Sequence, residues 1–277
     1  MLKNEQERIF IIKPIHGWVS LDLREVWQYR EMLYFLVWRE IKVRYKQTAL
    51  GVAWAVIQPF FMMVIFSLLF GRFVNVPSEG IPYPLFNYAA LLPWMLFSEG
   101  VMRSANSIVA DGGLIRKVYF PRLIMPLSGV ISPLVDFVIT FLVFLGIVFY
   151  FRFPITIRIL WLPVFILFSL ITSLAVGLWL SAINVKYRDV RYIIPFLLQC
   201  WFFVSPIVYS SVNLPRSWHF IYSLNPMVGV IEGFRWVLLG ATPPALISTV
   251  SFLAVLSILL SGLHYFKCME KTFADVV

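Results

Sequence analysis

Residues 46–72 read KQTALGVAWAVIQPFFMMVIFSLLFGR, and between Lys46 and Arg72 the chain runs 25 residues without a charged side chain. At ~1.5 Å of rise per residue such a run makes ~37 Å of helix, more than the ~30 Å of a bilayer's hydrocarbon core. Comparable uncharged stretches follow almost to Val277, which makes this an all-α integral membrane chain. Composition agrees: 60% of the 277 residues are hydrophobic and 13% charged, where a soluble domain carries roughly 25% charged residues. Ten Trp, 12 Tyr and 26 Phe exceed what aromatic belts at two membrane interfaces need, so part of that surface is expected to line an interior path.

Outward from the opening run, the apolar pattern predicts six spans, at about 51–70, 84–101, 123–151, 160–185, 193–209 and 246–266. Pro93 falls inside the second, and Asp136 alone interrupts the third. Residues 211–245 are apolar but broken by Pro215, Asn225, Pro226, Gly229, Gly233, Gly240, Pro243 and Pro244. Broken backbone at membrane depth survives only where protein or water satisfies it, so this segment predicts short re-entrant extracytoplasmic helices between spans five and six. Six spans divide the Lys and Arg residues unevenly, eighteen on the side of both termini and five on the other. The excess places both termini in the cytoplasm. It also explains the net charge of +9 without a nucleic-acid partner.

Two units are expected, a cytoplasmic N-terminal arm at 1–46 and a single transmembrane domain at 47–277. In the arm Tyr29, Leu33, Val37, Ile41 and Tyr45 recur every four residues, which predicts an amphipathic helix laid on the inner leaflet. The alternative is a helix packed on the loops. No cleavable leader is expected, because the first apolar run is too long for a signal core. Ser169, Ser173, Gly177 and Ser181 form a small-residue row in span four, which predicts close helix packing.

Several chemistries are excluded. No Gly precedes a Lys, so the phosphate-cradling loop of P-loop ATPases is missing, and ATP-driven work must come from a partner. Asp-x-Asp and H-E-x-x-H patterns are absent, while His16, His219 and His264 are isolated, so no metal and no bound cofactor are expected. Cys200 and Cys268 have no paired spacing. Glu99 and Asp136 sit in or beside spans, where a charge costs ~2.5–3.5 kcal/mol, so pairing with an Arg or Lys stands beside a role in transport.

Two loops carry more information. GGLIRKVYFPR at 112–122 is a turn followed by a basic-aromatic stretch, and NVKYRDVRY at 184–192 interleaves basic, aromatic and acidic groups around Lys186, Tyr187, Arg188, Asp189 and Arg191. Either a soluble partner grips them or they are ordinary positive-inside loops, which accounts for the charges but not for Tyr119, Phe120 and Pro121.

Taken with WREIKVRYKQTALGVAWAVIQP (38–59), LLPWMLFSEG (91–100), the run from 184 to 209 and NPMVGVIEGFRWVLLG (225–240), the chain resembles a known family over nearly all its length. That family is the membrane-spanning permease subunit of ATP-binding cassette exporters for bacterial polysaccharides, the O-antigen, capsule and teichoic-acid group. The resemblance implies a multi-pass protein of the bacterial cytoplasmic membrane. It implies two permease copies with two cytoplasmic ATPases, which hold the ATP and Mg, and a lipid-linked glycan as cargo. It makes Leu114, Ile115, Arg116, Lys117, Tyr119, Phe120, Pro121 and Arg122 the coupling helix that meets the ATPase. It also makes the broken segment, with Asn225, Pro226, Glu232 and Arg235, the extracytoplasmic gate. Aromatic faces stack on sugar rings, so Trp54, Trp94, Trp201, Phe202 and Tyr209 are expected along the path. Arg39, Arg44 and Lys46 are expected to meet a lipid diphosphate or anionic lipid at the inner leaflet. The competing readings are a permease for a drug or small lipid, and a polyprenyl or glycosyl transferase.

Overall fold

A computed structural model describes residues 23–46, 51–211, 215–243 and 246–276. Residues 1–22 of the arm, with His16, lie outside the described residues. Among the described residues there is no strand. Helices α1 (Leu23–Gln28) and α2 (Arg30–Lys46) lead into α3 (Gly51–Phe66), which continues as a π-helical turn over Ser67–Phe73. Then come α4 (Tyr83–Ala110), the single turn α5 (Gly112–Ile115), α6 (Ile124–Ile131) and α7 (Leu134–Tyr150). A 3-10 turn at Ile157–Trp161 opens into α8 (Leu162–Lys186), followed by α9 (Val190–Val204), α10 (Arg216–Ser223), α11 (Pro226–Leu239) and α12 (Leu246–Val276).

Among the described residues four stretches are long and apolar enough to cross a membrane: Gly51–Phe73, Ile124–Tyr150, Ile157–Lys186 and Thr249–Glu270. The other two expected spans fall on helices of different character. α4 runs 28 residues, ~42 Å, but carries Asn87, Glu99, Arg103 and Asn106. α9 has 15 residues, ~22 Å.

Lipid is as apolar as Leu, so helices associate there by close packing and hydrogen bonds rather than by leaving water. α8 shows how. It lies between α4 and α12, and its small-residue row faces α4. A Cβ on Gly177 would stand 2.3 Å from the Ser104 hydroxyl, and one on Gly100 3.0 Å from Ser173 Cβ. Ser169 donates to Pro93 O at 3.4 Å, and the Asn184 amide donates to Ala105 O at 2.9 Å. On the other flank Trp179 stacks on Tyr265 of α12 at 4.6 Å, beside Gly262. The expected third span is interrupted between α6 and α7, where Pro133 has no N–H to continue the helical ladder.

Two apolar cores result. The larger runs through the bundle and includes Phe86, Tyr88, Phe97 and Phe144. The smaller gathers Leu36, Ile108, Ile115, Phe120, Phe266 and Phe273 at the end where α2, α4, α6 and α12 meet.

The stripe on the arm turns the opposite way from the lipid-facing expectation. Tyr29 and Leu33 pack on the smaller core, while Val37, Ile41 and Tyr45 are half-buried. The exposed face is instead aromatic, with Trp27, Tyr34, Phe35 and Trp38. A four-residue recurrence identifies a buried face without saying whether protein or lipid covers it.

Candidate functional site

Three charged residues of α2 reach three different helices. Arg39 is ion-paired with Asp111 at the end of α4. Glu40 accepts from Ser128 at 3.2 Å and Ser132 at 2.6 Å, on α6 and just after it, and lies 3.8 Å from Arg103 of α4. Arg44 is ion-paired with Asp136 of α7 and stands 3.4 Å from Glu99 of α4, while Tyr45 donates its hydroxyl to Asp136. Asp136, whose side chain keeps 19% of its exposure, and the more open Glu99 are thus each matched by a cation, as a carboxylate leaving water requires. This changes the reading of the arm's basic residues: Arg39 and Arg44 are engaged with carboxylates, and only Lys46 of the three expected at a lipid head is exposed.

Next to this clamp lies an open groove of about 490 Å³. Arg44, Arg103, Glu99 and Asp136 form its charged wall, and Trp54 and Gln58 of α3 stand in its lining. Trp54 is 58% exposed. The other aromatic residues expected along a path do not join it. Trp94 and Phe202 are buried in the larger core, 5.5 Å apart between ring centroids. They border a separate recess of about 230 Å³ between α3, α4 and α9. Trp201 donates its indole N–H to Asn225 at 2.8 Å, and Tyr209 accepts from Tyr222 at 2.8 Å. The five are therefore spread over several environments and form no continuous strip. Aromatic content alone could not separate core from lining.

The 112–122 loop is a knob on an apolar socket. Only Leu114 and Ile115 of the expected coupling helix are helical, in the turn Gly112–Ile115. Ile115, Phe120 and Pro121 are buried, while Arg116, Lys117 and Tyr119 project. Arg122 donates to the Glu270 carbonyl, and its backbone N–H to the Glu270 carboxylate at 3.4 Å, which fixes the loop to α12. Partial burial, and next the Glu25 carboxylate that accepts its hydroxyl at 3.4 Å, push the Tyr119 phenol up from its ordinary value. The second loop is exposed throughout Lys186, Tyr187, Arg188 and Asp189, and Lys186 lies over the Tyr187 ring at 5.2 Å. Arg191 lies over the Tyr192 ring at 4.8 Å.

In the broken segment Asn225 caps α11 by accepting from Met227 N–H at 3.0 Å, with Pro226 as the first helical residue. Its amide also donates to Ser205 at 3.2 Å. Arg235 is 2% exposed and donates to Ile207 O at 2.8 Å, Tyr209 O at 3.1 Å and Phe86 O at 3.3 Å, with its guanidinium 3.6 Å from the Phe86 ring centroid. It knits the irregular stretch after α9 to α4. Ser211 donates to Glu232. Glu79, in the turn before α4, joins both ends of the segment by accepting from Ser210 at 2.6 Å and Thr242 Oγ1 at 3.2 Å.

Sequence reading missed Glu40, Asp111, Gln58, Glu79 and Glu270. The pair Glu40 and Arg44, four apart on α2, was the one available signal, and it does not name its partners across the bundle.

Residues 31–239 match the ABC-2 type transporter family. The O-antigen export system permease protein RfbA of Myxococcus xanthus is 33% identical over 261 residues, covering 92% of this chain and 98% of that protein. An RfbA of the same description from Klebsiella pneumoniae is 26% identical over 250 residues, 89% of this chain and 95% of its own length. The polysialic acid transport protein KpsM of Escherichia coli is 26% identical over 246 residues, 84% of this chain and 91% of its own.

Proposed function

The chain belongs to the ABC-2 type transporter family, and from that premise we propose that it is the permease of an ATP-driven exporter that moves a lipid-linked O-antigen or capsular polysaccharide across the bacterial cytoplasmic membrane. The observation that carries this is the full-length similarity to permeases named for those cargoes. Hydrolysis falls to a separate ATPase subunit. In this reading six spans form by α3, α4, α6 with α7, α8, α9 and α12, and two copies of the chain pair with two ATPases. Residues 1–46 are the arm and 47–277 the permease domain.

The side bearing α2, the knob and the end of α12 faces the cytoplasm, because Lys and Arg gather there. Arg116, Lys117 and Tyr119 meet the ATPase while Ile115, Phe120 and Pro121 seat the knob, and Lys186 to Arg191 form a second contact. A push on the knob reaches α12 through Arg122 and Glu270 and reaches α4 through the shared core. The segment with Asn225, Pro226, Glu232 and Arg235 closes the outer side. Trp94, Trp201, Phe202 and Tyr209 support the path from within the bundle, and Lys46 is placed for an anionic lipid head.

The test is ATPase capture by the triple variant Arg116→Glu, Lys117→Glu, Tyr119→Ala, whose side chains are exposed, so folding is expected to stand. Capture is expected to fall at least tenfold while the purified permease alone hydrolyses no ATP. Unchanged capture removes the coupling assignment. Failure of the unmodified complex to respond to any lipid-linked glycan removes the export reading.

A further inference from the structure

Residues 205–210 follow α9 as irregular backbone, yet all but the half-buried Tyr209 are buried. Such backbone persists in a membrane bundle only where other groups satisfy it, and here side chains from outside the stretch do so almost residue by residue. Arg235 of α11 donates to the carbonyls of Ile207 and Tyr209, at 2.8 and 3.1 Å. Tyr83, the first residue of α4, donates its hydroxyl to the Val208 carbonyl at 2.7 Å. Ser210 donates to Glu79 at 2.6 Å, and Ser211 donates to Glu232.

Glu79 differs from the other holders because its second carboxylate oxygen is engaged elsewhere. Thr242, just past the C-cap Gly240 of α11, donates to it through its backbone N–H at 3.3 Å and its hydroxyl at 3.2 Å. One side chain therefore joins residue 210 to residue 242, the two ends of the broken segment. Its backbone is also unusual. Glu79 has φ +56° and Gly80 φ +76°, and they are the central residues of the turn that Ile81 N–H closes on Ser78 O at 3.0 Å. Successive left-handed residues suit Asn-Gly or Gly-Gly, so a Glu here is held against its own backbone preference. A local rule broken at a side chain that bridges two segments points to the carboxylate as the reason for the residue.

The same turn hangs on the first span. α3 ends in the π-helical turn Ser67–Phe73, and the N–H groups of Val74 and Val76 donate to Leu69 O and Phe70 O at 3.0 and 2.8 Å. A Cβ on Gly71 would stand 2.8 Å from Tyr83 Cγ. The outer end of α3 thus presses on the residue that holds Val208 and leads directly to the one that holds Ser210 and Thr242.

We infer that Glu79 is a positioning residue that clasps both ends of the outer segment and ties its closure to the outer end of α3. This rests on the reading of that segment as the outer closure, and adds what holds it shut and which span releases it. When the end of α3 shifts, Tyr83 and Glu79 move with it, and residues 208, 210 and 242 are let go together.

The experiment is maleimide labelling of the permease–ATPase complex in lipid nanodiscs without nucleotide. Cys200 and Cys268 are replaced by Ser, and one reporter is introduced at a time: Ala241→Cys, at a site 8% exposed beside Thr242, or Ala182→Cys in α8, at a site 0% exposed, as the control. Glu79→Asn suits the left-handed backbone but is too short to bridge, so the turn is expected to fold without its clasp. Labelling at residue 241 is expected to rise about tenfold, the effect of losing one hydrogen bond to a charged group, while the control stays protected. Thr242→Val is expected to raise it about twofold in the parent and to add nothing in Glu79→Asn, because both remove the same contact. Gly71→Ala, whose new methyl displaces Tyr83, is expected to raise it as well. Parent-rate labelling in Glu79→Asn, an equal rise at the control, or additive effects of Glu79→Asn and Thr242→Val each overturn the clasp, and parent-rate labelling in Gly71→Ala overturns its tie to α3. ATP hydrolysis stimulated by lipid-linked glycan is measured on the same samples. Stimulation alongside any overturning result removes the clasp and leaves the export reading, whereas the expected labelling in a complex that no glycan stimulates leaves the clasp and removes the export reading.

Discussion

Arg44→Met is expected to destabilise the chain by about 2 kcal/mol. Removing one member of a fully buried ion pair costs ~3–5 kcal/mol, because the remaining charge is stranded in a poor solvent. Here the side chains of Arg44 and Asp136 keep 24% and 19% of their exposure, so solvent screens part of the penalty and roughly half of it remains. The Tyr45 hydroxyl still donates to Asp136 and limits the loss further. The double variant Arg44→Met, Asp136→Leu removes both charges and is expected within about 1 kcal/mol of the parent, since an apolar pair in an apolar bundle costs little. Thermal unfolding in nanodiscs, followed by tryptophan fluorescence, reads the difference: at ~2–4 °C per kcal/mol the single variant should melt about 4–8 °C lower and the double variant nearly at the parent temperature. If the effects of Arg44→Met and of Asp136→Leu alone add within ~0.5 kcal/mol in the double variant, the pair does not interact and the clamp is refuted.

Two further substitutions probe the bundle. Gly177→Val places a side chain where Ser104 already stands 2.3 Å from an ideal Cβ, so α4 and α8 must separate, and a loss of about 1–3 kcal/mol is expected in the same melting assay. Retention of the parent melting temperature would show that the small-residue row is not a contact. Arg235→Met leaves three carbonyls, those of Phe86 and Ile207 in buried contacts, without this donor, at about 1–3 kcal/mol for each buried one if no water replaces it. In a background lacking Cys200 and Cys268, a reporter Val208→Cys, at a site 7% exposed, should become reactive to maleimide when Arg235 is replaced. Unchanged protection would mean that the stretch after α9 holds without it.

Long apolar helices were legible because hydropathy responds to composition over a window. α3, α6 with α7, α8 and α12 declare themselves in that way, and the spacing of Ser169, Ser173, Gly177 and Ser181 further named a packing face. α4 shows where the method stops. Its expected end near residue 101 is nine residues short of Ala110, because Ser104, Ser107 and Asn106 look like loop. They are helix, with Ser104 and Ser107 buried against neighbours. α12 likewise runs ten residues past 266, and its charged extension supplies Glu270 beneath the knob. The site was harder still. Arg44 and Asp136 were both noticed, yet they are 92 positions apart and only the bundle brings them together. Trp54 and Trp94 are the same residue type in similar apolar contexts, and one lines the groove while the other fills the core. Local sequence cannot separate them, since the difference lies in which neighbour covers each ring.

The seating of the 112–122 loop divides it into a fixed part and a projecting part. Ile115, Phe120 and Pro121 belong to the membrane fold, together with Phe266 and Phe273 behind them. Of the residues between, Arg116, Lys117 and Val118 are exposed, and Tyr119 reaches back to Glu25 of α1 at 3.4 Å. They form a replaceable head on a fixed mount. Exchanging Arg116, Lys117 and Val118, three consecutive exposed residues, would leave the apolar seat of the loop as it stands.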